Sequence, residues 1–273
     1  MNKGRIALAA CGALLALGCD KETGPFLAPT QSIAYVRYVN AVPDSGAFDW
    51  RLVDAIENSP PANGLAFRGF TPYQAMGTGA RKLRIFPTST DIAITSQIVI
   101  DTTITFSAST YYTLIHLGFA RAGSSPADRI VVLQDQFPAS LGSQVAVRAV
   151  NVASGLGNLD VFQAAATADP LPGSPKFSGV AYGIATAYVA GAVGPINLRM
   201  TASGTTTPVL ASVVADTGQT AVPASNLTAI GGSRQAGSVI SAYLFPRSVT
   251  GTAAPQTTAF QSPVVVYVVD KHP

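Results

Sequence analysis

The sequence predicts an all-β protein with two tandem antiparallel β-sandwich (immunoglobulin-like) domains, which follow a signal peptide and a short tether. Three observations support this fold class. Only 11% of the 273 residues are charged, whereas glycine (25) and proline (19) are abundant, which favours short strands joined by turns. Apolar alternating segments are separated by turn residues at intervals of roughly eight to twelve positions, as in β-sandwiches. Finally, a long stretch of the sequence occurs twice.

The repeat begins with Val-Arg-x-Val-Asn, at residues 36–40 and again at 147–151. Further matches follow in the same order: Asp49 with Asp160, Phe67-x-Gly69 with Phe177-x-Gly179, Tyr73 with Tyr188, Leu83-Arg84 with Leu198-Arg199, and an apolar segment that ends in Asp135 or Asp270. The offset between matches grows along the chain, as insertions in loops make it do. We interpret the repeat as two copies of one domain, at residues 33–138 and 144–273.

Residues 1–18 are predicted to be a lipoprotein signal peptide. Lys3 and Arg5 give it a positive start, and the apolar run at 6–17 is too short to span a bilayer. The small residue directly before Cys19 resembles the bacterial lipobox, in which the sulfur of the cysteine receives a diacylglycerol. We therefore expect lipidation at Cys19.

Cys11 also fits the lipobox pattern, but cleavage there leaves too short an apolar run. An ordinary secretory signal with an incidental cysteine is the other alternative. With Cys19 lipidated and Cys11 removed, no thiol remains for a disulfide. Residues 19–32 mix glycine, proline, threonine and serine and are predicted to be a flexible tether. The expected location is the bacterial cell envelope, with the inner or outer membrane left open.

The charge balance excludes nucleic acid as a partner. The chain has 17 basic and 14 acidic residues. Loss of Lys3 and Arg5 with the signal peptide removes two basic residues and leaves the mature chain close to neutral. A near-neutral chain offers no basic surface for the phosphate backbone.

Two strands have predicted surroundings. Residues 33–42 are apolar on both alternating faces except at Arg37 and Asn40, which predicts a strand buried on both sides. Residues 264–269 form an uncharged apolar run that would aggregate at an open edge, so we expect it inside a sheet. No convincing helix is predicted in either copy.

Together these motifs resemble the bacterial family called domain of unknown function 4397. The resemblance rests on the opening Val-Arg-x-Val-Asn strands, the turn at 43–46 with its proline, aspartate and serine, and the final apolar segment ending in aspartate. Family members often carry histidine where Asn40 and Asn151 stand, and the second turn, 154–157, lacks the Pro-Asp pair. The resemblance implies an exported or lipid-anchored β-sandwich, and it brings no established catalytic residues.

Arg37 and Asp49 flank the predicted turn of the first copy, as Arg148 and Asp160 flank that of the second. In a hairpin, each pair meets across the two strands. A guanidinium on an apolar strand needs an acceptor, because an unpaired buried charge is strongly destabilising. We predict structural ion pairs or aspartates that stabilise the turn. A ligand or metal role for either aspartate is the alternative.

No catalytic residue, metal or cofactor is predicted. His116 lies in an apolar strand and His272 in the tail, without cysteine, serine or a second histidine at catalytic or ligand spacing. Asp44 and Asp49 supply two oxygens for calcium, but the EF-hand spacing is missing. The glycine patterns of nucleotide-binding loops are missing as well.

Trp50 and Tyr73 are the candidates for an aromatic binding surface of the kind that carbohydrate-binding sandwiches use. Core packing is the alternative, since both fall within alternating apolar strands. The expected function is that of a non-enzymatic, lipid-anchored envelope protein, a binding or structural module with protein or glycan partners. The alternatives are an envelope hydrolase or carbohydrate-processing accessory protein, and a passive spacer.

Overall fold

The computed structural model describes residues 32–54 and 61–273, which belong to one compact unit. The predicted signal peptide (1–18), Cys19 and nearly all of the predicted tether lie outside the described residues. Besides strands, the described chain contains one short α-helix, α1 (Ile92–Thr95), which the sequence did not predict, and two 3-10 turns, Pro223–Ser225 and Thr258–Phe260. No helix among the described residues has both the length and the apolar character of a membrane span. The strands are β1 (Ile33–Ala41), β2 (Phe48–Leu52), β3 (Ala62–Leu65), β4 (Gln74–Gly77), β5 (Gly79–Pro87), β6 (Ile100–Phe106), β7 (Tyr111–Leu117), β8 (Arg129–Asp135), β9 (Gln144–Asn151), β10 (Leu159–Ala164), β11 (Phe177–Val180), β12 (Val189–Ala192), β13 (Asn197–Ala202), β14 (Ala211–Val214), β15 (Val239–Phe245) and β16 (Val264–Lys271).

Each half of the chain forms a sandwich of two four-stranded sheets. The sheets of the first half have the strand orders β4-β1-β7-β8 and β3-β2-β5-β6, and those of the second half β12-β9-β15-β16 and β11-β10-β13-β14. The second half therefore repeats the strand order of the first. Large apolar side chains fill each sandwich, with Trp50 and Leu83 in the first core and Leu159 and Leu198 in the second. The predicted all-β fold with two sandwiches is confirmed.

One strand pair in each half departs from the predicted antiparallel arrangement. β1 pairs with β7, and β9 pairs with β15, in parallel. The path of the chain explains this. After β1 the chain enters β2 of the facing sheet, and it returns to the sheet of β1 only later. Parallel neighbours require such a long connection, whereas antiparallel neighbours need only a tight turn.

The sheets that contain β1 and β9 face each other across a third apolar core, and we call this contact the seam. Val39 and Ile115 from the first half pack there with Val150, Tyr243 and Phe245 from the second. The molecule thus has four layers of sheet, and the seam is the middle contact. Each sandwich buries one outer face against the other, which removes that apolar area from water.

β1 is buried on both faces, which confirms the prediction for residues 33–42. Val36 and Tyr38 belong to the core of the first sandwich, whereas Val39 belongs to the core of the seam. Because successive side chains of a strand point to opposite faces, Arg37 faces the seam. β9 has the same arrangement in the second half.

The predicted position of the last strand is wrong, because β16 lies at the edge of its sheet. Two features protect this edge. The pairing of β15 with β16 shifts register between Val239 and Ile240. The hydroxyl of Tyr267 donates to the carbonyl of Val213 (2.7 Å) and accepts from the amide of Leu198 (2.9 Å), both in the facing sheet. Among the described strands, β16 has no neighbour on its outer side, and the bulge and the cross-sheet hydrogen bonds protect this edge instead.

Candidate functional site at the seam

Two arginines are buried in the seam, and each pairs with an aspartate of the other half. Arg37, on β1, donates from Nη1 to Asp270 Oδ1 and from Nη2 to the carbonyl of Val269 (3.1 Å). Arg148, on β9, donates from Nη2 to Asp135 Oδ1 (2.5 Å). The four charged side chains are at most 4% exposed. The opening strand of each half is thus tied to the closing strand of the other.

Hydroxyl groups satisfy the other carboxylate oxygen of Asp135. Its Oδ2 accepts hydrogen bonds from Tyr73 (2.7 Å) and Thr113 (2.6 Å). The guanidinium of Arg37 lies over the ring of Tyr73, 4.0 Å from its centroid, within the range of cation–π attraction. Tyr73 therefore links the acid of one ion pair to the base of the other.

The same arrangement recurs around Asp270. Its Oδ2 accepts hydrogen bonds from Tyr188 (2.9 Å) and Ser241 (2.6 Å). Arg148 donates from Nε to Ser241 Oγ (2.7 Å) and lies over the ring of Tyr188, 4.6 Å from its centroid. Both buried carboxylates are thus fully partnered, as buried charges must be. We call this set of residues the seam cluster: Arg37, Tyr73, Thr113, Asp135, Arg148, Tyr188, Ser241 and Asp270.

Burial and charge together shift the pKa values in the seam cluster. Burial raises the pKa of Asp270, and the attraction of Arg37 and Arg148 offsets only part of that. Burial lowers the pKa of Arg37 and of Arg148, but the neighbouring carboxylates outweigh it, and both pKa values lie above the ordinary value. Burial also raises the pKa of Tyr73 and Tyr188. Both tyrosines therefore stay protonated and donate hydrogen bonds, and the arginine charges stay paired.

The predicted pairs Arg37–Asp49 and Arg148–Asp160 are wrong. β1 and β2 do not form a hairpin, because they belong to facing sheets, and so do β9 and β10. The arginine of each pair points to the seam, away from the strand that carries the aspartate. Sequence spacing suggested neighbouring strands where the chain in fact crosses from one layer to the next.

Asp49 and Asp160 instead bind the edge strands β3 and β11 and the loops that follow β5 and β13. Both aspartates are structural, as predicted, but their described contacts do not include the turns at 43–46 and 154–157. Asp49 accepts hydrogen bonds from Gly64 N (2.8 Å) and Thr88 Oγ1 (2.6 Å). Asp160 accepts hydrogen bonds from Gly179 N (2.6 Å) and Gly204 N (2.8 Å). Burial raises the pKa of both carboxylates, but these hydrogen bonds outweigh it and hold the pKa below the ordinary value. Neither aspartate is near the seam cluster in the contacts described.

Gly64 and Gly179 also correct one match within the repeat. Both adopt a left-handed backbone, with φ of +61° and +60°, and both donate their amide to the repeated aspartate. The structural counterpart of Gly179 is therefore Gly64, and the match of Phe67-x-Gly69 with Phe177-x-Gly179 is wrong. Phe67 packs in the core of the seam.

The predicted aromatic surface is wrong for Trp50. Its side chain is fully buried in the first core, with its ring centroid 6.1 Å from that of His116. Tyr73 is half-buried, and both its ring face and its hydroxyl are engaged in the seam cluster. Trp50 packs in the core, as the alternative interpretation predicts. Trp50 and Tyr73 do not form one surface.

A groove of about 550 Å³ runs along one side of the seam. Residues 132–134 of β8 and 136–138 line one side, and residues 185–188 of the second half line the other, with Arg148 between them. Phe137 and Tyr188 meet there with ring centroids 6.1 Å apart. No carboxylate is among the described residues that line this groove. Its single charged side chain, Arg148, is paired with Asp135.

Both histidines have structural contacts. His116 is buried in the first core, with Nε2 3.2 Å from Asp128 Oδ2, and His272 Nδ1 accepts the amide hydrogen of Gly231 (2.9 Å). Asp44 accepts the amide hydrogen of Ala120 (2.8 Å). Within residues 32–54 and 61–273, no three His, Cys, Asp or Glu side chains come together in a way that could hold a metal ion.

Asp135 and Asp270 are the functional residues of the seam that sequence reasoning missed. The repeat marks both as matching strand ends, but sequence spacing does not indicate that they pair with the arginines. A signal was present, because a carboxylate that ends an otherwise apolar strand in both copies needs a buried partner. Thr113 and Ser241, which pair in register with Arg37 and Arg148, had no comparable signal.

Comparison with known proteins gives matches to solved structures and to one family model. A search of curated proteins found no match. A solved structure named "Putative cell adhesion protein", from Parabacteroides distasonis ATCC 8503, aligns with 9% identity and a TM-score of 0.21, covering 88% of this chain and 99% of that chain. The family match extends from β1 into β10: residues 34–162 match the model of the family described as "Domain of unknown function (DUF4397)".

Proposed function

We propose that this protein is a non-enzymatic, lipid-anchored module of the bacterial cell envelope that binds a protein or glycan partner or serves as a structural element. The proposal rests on the position of the charged residues that recur in both copies. Arg37, Asp135, Arg148 and Asp270 are buried in the seam with their charges paired. The polar residues shared by the two copies therefore join the sandwiches instead of facing a substrate.

Lipid anchoring is supported by the sequence ahead of the sandwiches. A positively charged start, a short apolar run and Cys19 have the order of a lipoprotein signal. A lipid at Cys19 with the tether behind it would hold a double sandwich at the membrane surface. Since one acyl chain binds a membrane only weakly, the several chains of a lipoprotein anchor account for stable attachment.

The anchoring experiment compares Cys19→Ser with Cys11→Ser in a bacterial host. We expect the Cys11→Ser protein to incorporate labelled fatty acid and to sediment with membranes, like the unchanged protein. The Cys19→Ser protein should lose both the label and the membrane association. Membrane-bound, labelled Cys19→Ser protein would reject the anchor.

The alternative, an envelope hydrolase or carbohydrate-processing protein, requires two carboxylates that converge in a groove. In the described grooves the lining carboxylate is Asp44, and its oxygens accept the amide hydrogens of Ala120 and Arg121. Assay of the purified protein on envelope glycans tests this alternative. Release of reducing sugar that is lost in Asp44→Asn would overturn the non-enzymatic proposal.

A further inference from the structure

β8 is an edge strand that lacks the features with which proteins usually protect an edge. It is seven residues long and pairs with β7 in one continuous register. Between Arg129 and Asp135 it carries neither a charge nor a proline, and Val132 is 43% exposed. Among the described residues, its backbone hydrogen bonds go to β7 alone. The outer backbone groups of this regular strand are thus open to pairing along its uncharged centre.

The other edges of the described sheets are protected. β3, β4, β11, β12 and β14 are each four residues long. β16 has the bulge and the bonds of Tyr267 described above. β6 carries Asp101, which is paired with Lys82 and Arg84. In the part of the chain that is described, β8 is therefore the long, regular edge whose five central residues carry no charge.

The second sandwich provides a ledge next to this edge. Arg148 of β9 bonds Asp135 of β8, so β8 lies opposite β9 across the seam. β12 pairs with β9 on the side away from β15 and so extends beyond β8. Residues 185–188, which lead into β12, form the far wall of the groove. The groove is thus the space between the open edge of β8 and this ledge.

The size of the groove fits one added strand. Strands lie ~4.8 Å apart in a sheet, sheets pack ~10 Å apart, and each residue advances ~3.3 Å, so a strand residue takes up on the order of 160 Å³. The groove of about 550 Å³ therefore holds roughly three to four residues of an extended segment. A second copy of this chain would bring its own facing sheets into the position of the ledge, which leaves room for a single strand only.

We propose that β8 and the ledge bind one extended peptide segment of a partner protein, which adds as a fifth strand to the sheet β4-β1-β7-β8. This inference rests on the proposed function as an envelope binding module and names its partner class. Pairing to an open edge supplies affinity through main-chain hydrogen bonds, and alternate side chains supply specificity. The lining, in which the charge of Arg148 is already paired, favours an uncharged segment with apolar side chains.

Hydrogen exchange on the intact protein, purified in detergent, tests this site. The probe is a capped peptide of alternating valine and threonine at saturating concentration. Its matched control is the same peptide with alternate amides N-methylated, which keeps the side chains and removes the donors for strand pairing. Among residues 130–134, we expect the unmodified peptide to slow exchange of the amides that face away from β7 by about tenfold or more, and the methylated peptide to leave their exchange unchanged.

A pair of variants locates the contact. Val132→Lys places a charge on the exposed side of β8 and should weaken binding of the peptide by about tenfold. Val214→Lys makes the same change on the edge strand β14, where the valine is 47% exposed, and should not alter binding. Equal effects of the two variants would overturn the site.

Three further results of the exchange experiment would also overturn it: equal protection by the methylated peptide, no slowing at residues 130–134, or slowing by a β-glucan oligosaccharide and not by the peptide. The last result would assign the groove to glycans. These failures are separate from failure of the proposed function, which the Cys19→Ser experiment and the glycan assay decide. Confirmed anchoring without strand pairing at β8 would leave the module to bind through another surface.

Discussion

Arg37 in the first strand and Asp270 in the last described strand form a buried ion pair that joins the two sandwiches. Arg148 and Asp135 form the reciprocal pair. Each arginine is thus partnered by the other copy of the repeat and not by its own. This exchange makes the folding of each sandwich depend on the other, because the carboxylate that pairs with each buried guanidinium comes from the other half.

Removal of one member of the pair should destabilise the protein strongly. We expect Arg37→Met to lower the free energy of unfolding by ~3–5 kcal/mol, because it leaves Asp270 buried without its cation. The double variant Arg37→Met/Asp270→Leu should recover part of that loss. Urea unfolding measures both. Arg51→Met is the matched control, since the Arg51–Asp49 pair is exposed on the arginine side and should contribute less than ~1 kcal/mol. Equal losses from both arginine variants would contradict the role assigned to the seam.

The first half alone should be far less stable than the whole protein. A chain that ends at residue 138 exposes Val39, Ile115 and Leu117 of the seam core and leaves Asp135 without Arg148. We expect aggregation, measured by light scattering, and a much lower midpoint of urea unfolding. A soluble fragment with the midpoint of the full chain would show that the seam adds little to stability.

Asp160→Asn should destabilise the second sandwich. The carboxylate uses Oδ1 for the amide of Gly179 and Oδ2 for that of Gly204, whereas an amide side chain keeps only one acceptor oxygen. The expected loss is ~1–3 kcal/mol in the free energy of unfolding. The control is Asp216→Asn, which changes an exposed side chain and should alter the free energy of unfolding by no more than ~0.5 kcal/mol. Calorimetry that finds Asp160→Asn unchanged would reject a structural role for Asp160.

Acidification should destabilise the first sandwich through His116. Burial lowers the pKa of His116, and the attraction of Asp128 offsets only part of this. The unfolded chain, with a histidine pKa of ~6.5, therefore binds the proton more tightly than the folded protein does. The contribution of neutral His116 to the free energy of unfolding is therefore fully present above pH ~6.5. It falls as the pH drops from there toward the lowered pKa of the folded state.

The free energy of unfolding is compared at two pH values, about one unit above and about one unit below the histidine pKa of ~6.5. His116→Leu should remove the fall between them. Leucine is suitable because Leu244 pairs with Asn151 as His116 pairs with Asn40. Urea unfolding at the two pH values measures the difference for each protein. An identical pH dependence in both proteins would assign the titration to another group.

Several features of the fold could be predicted because they depend on local pattern. The alternation of apolar residues indicated strands, and the apolar character of both faces of residues 33–42 indicated burial on both sides. The repeat was recognisable from short matches and correctly implied two sandwiches. The edge position of β16 was not predictable, because its protection by Tyr267 depends on a facing sheet.

The candidate site could be predicted only in part. Arg37 and Arg148 were identified as buried arginines in need of an acceptor, and the aspartates at the ends of the repeat were identified as matching residues. Their pairing was missed because proximity in sequence favoured Asp49 and Asp160. The groove beside β8 had no signal in the sequence, since its walls come from residues 132–134 and 136–138 on one side and 185–188 on the other.

The fold class, the duplication and the need of each buried arginine for a negative partner follow from the amino-acid sequence, because periodicity and the cost of an unpaired charge are properties of single strands. Which aspartate pairs with which arginine depends instead on how the sheets pack. Sheets that face each other bring the first strand of one half against the last strand of the other, and no local pattern records that contact. Asp270 neutralises Arg37 across the seam because the two sandwiches must bury their inner faces together.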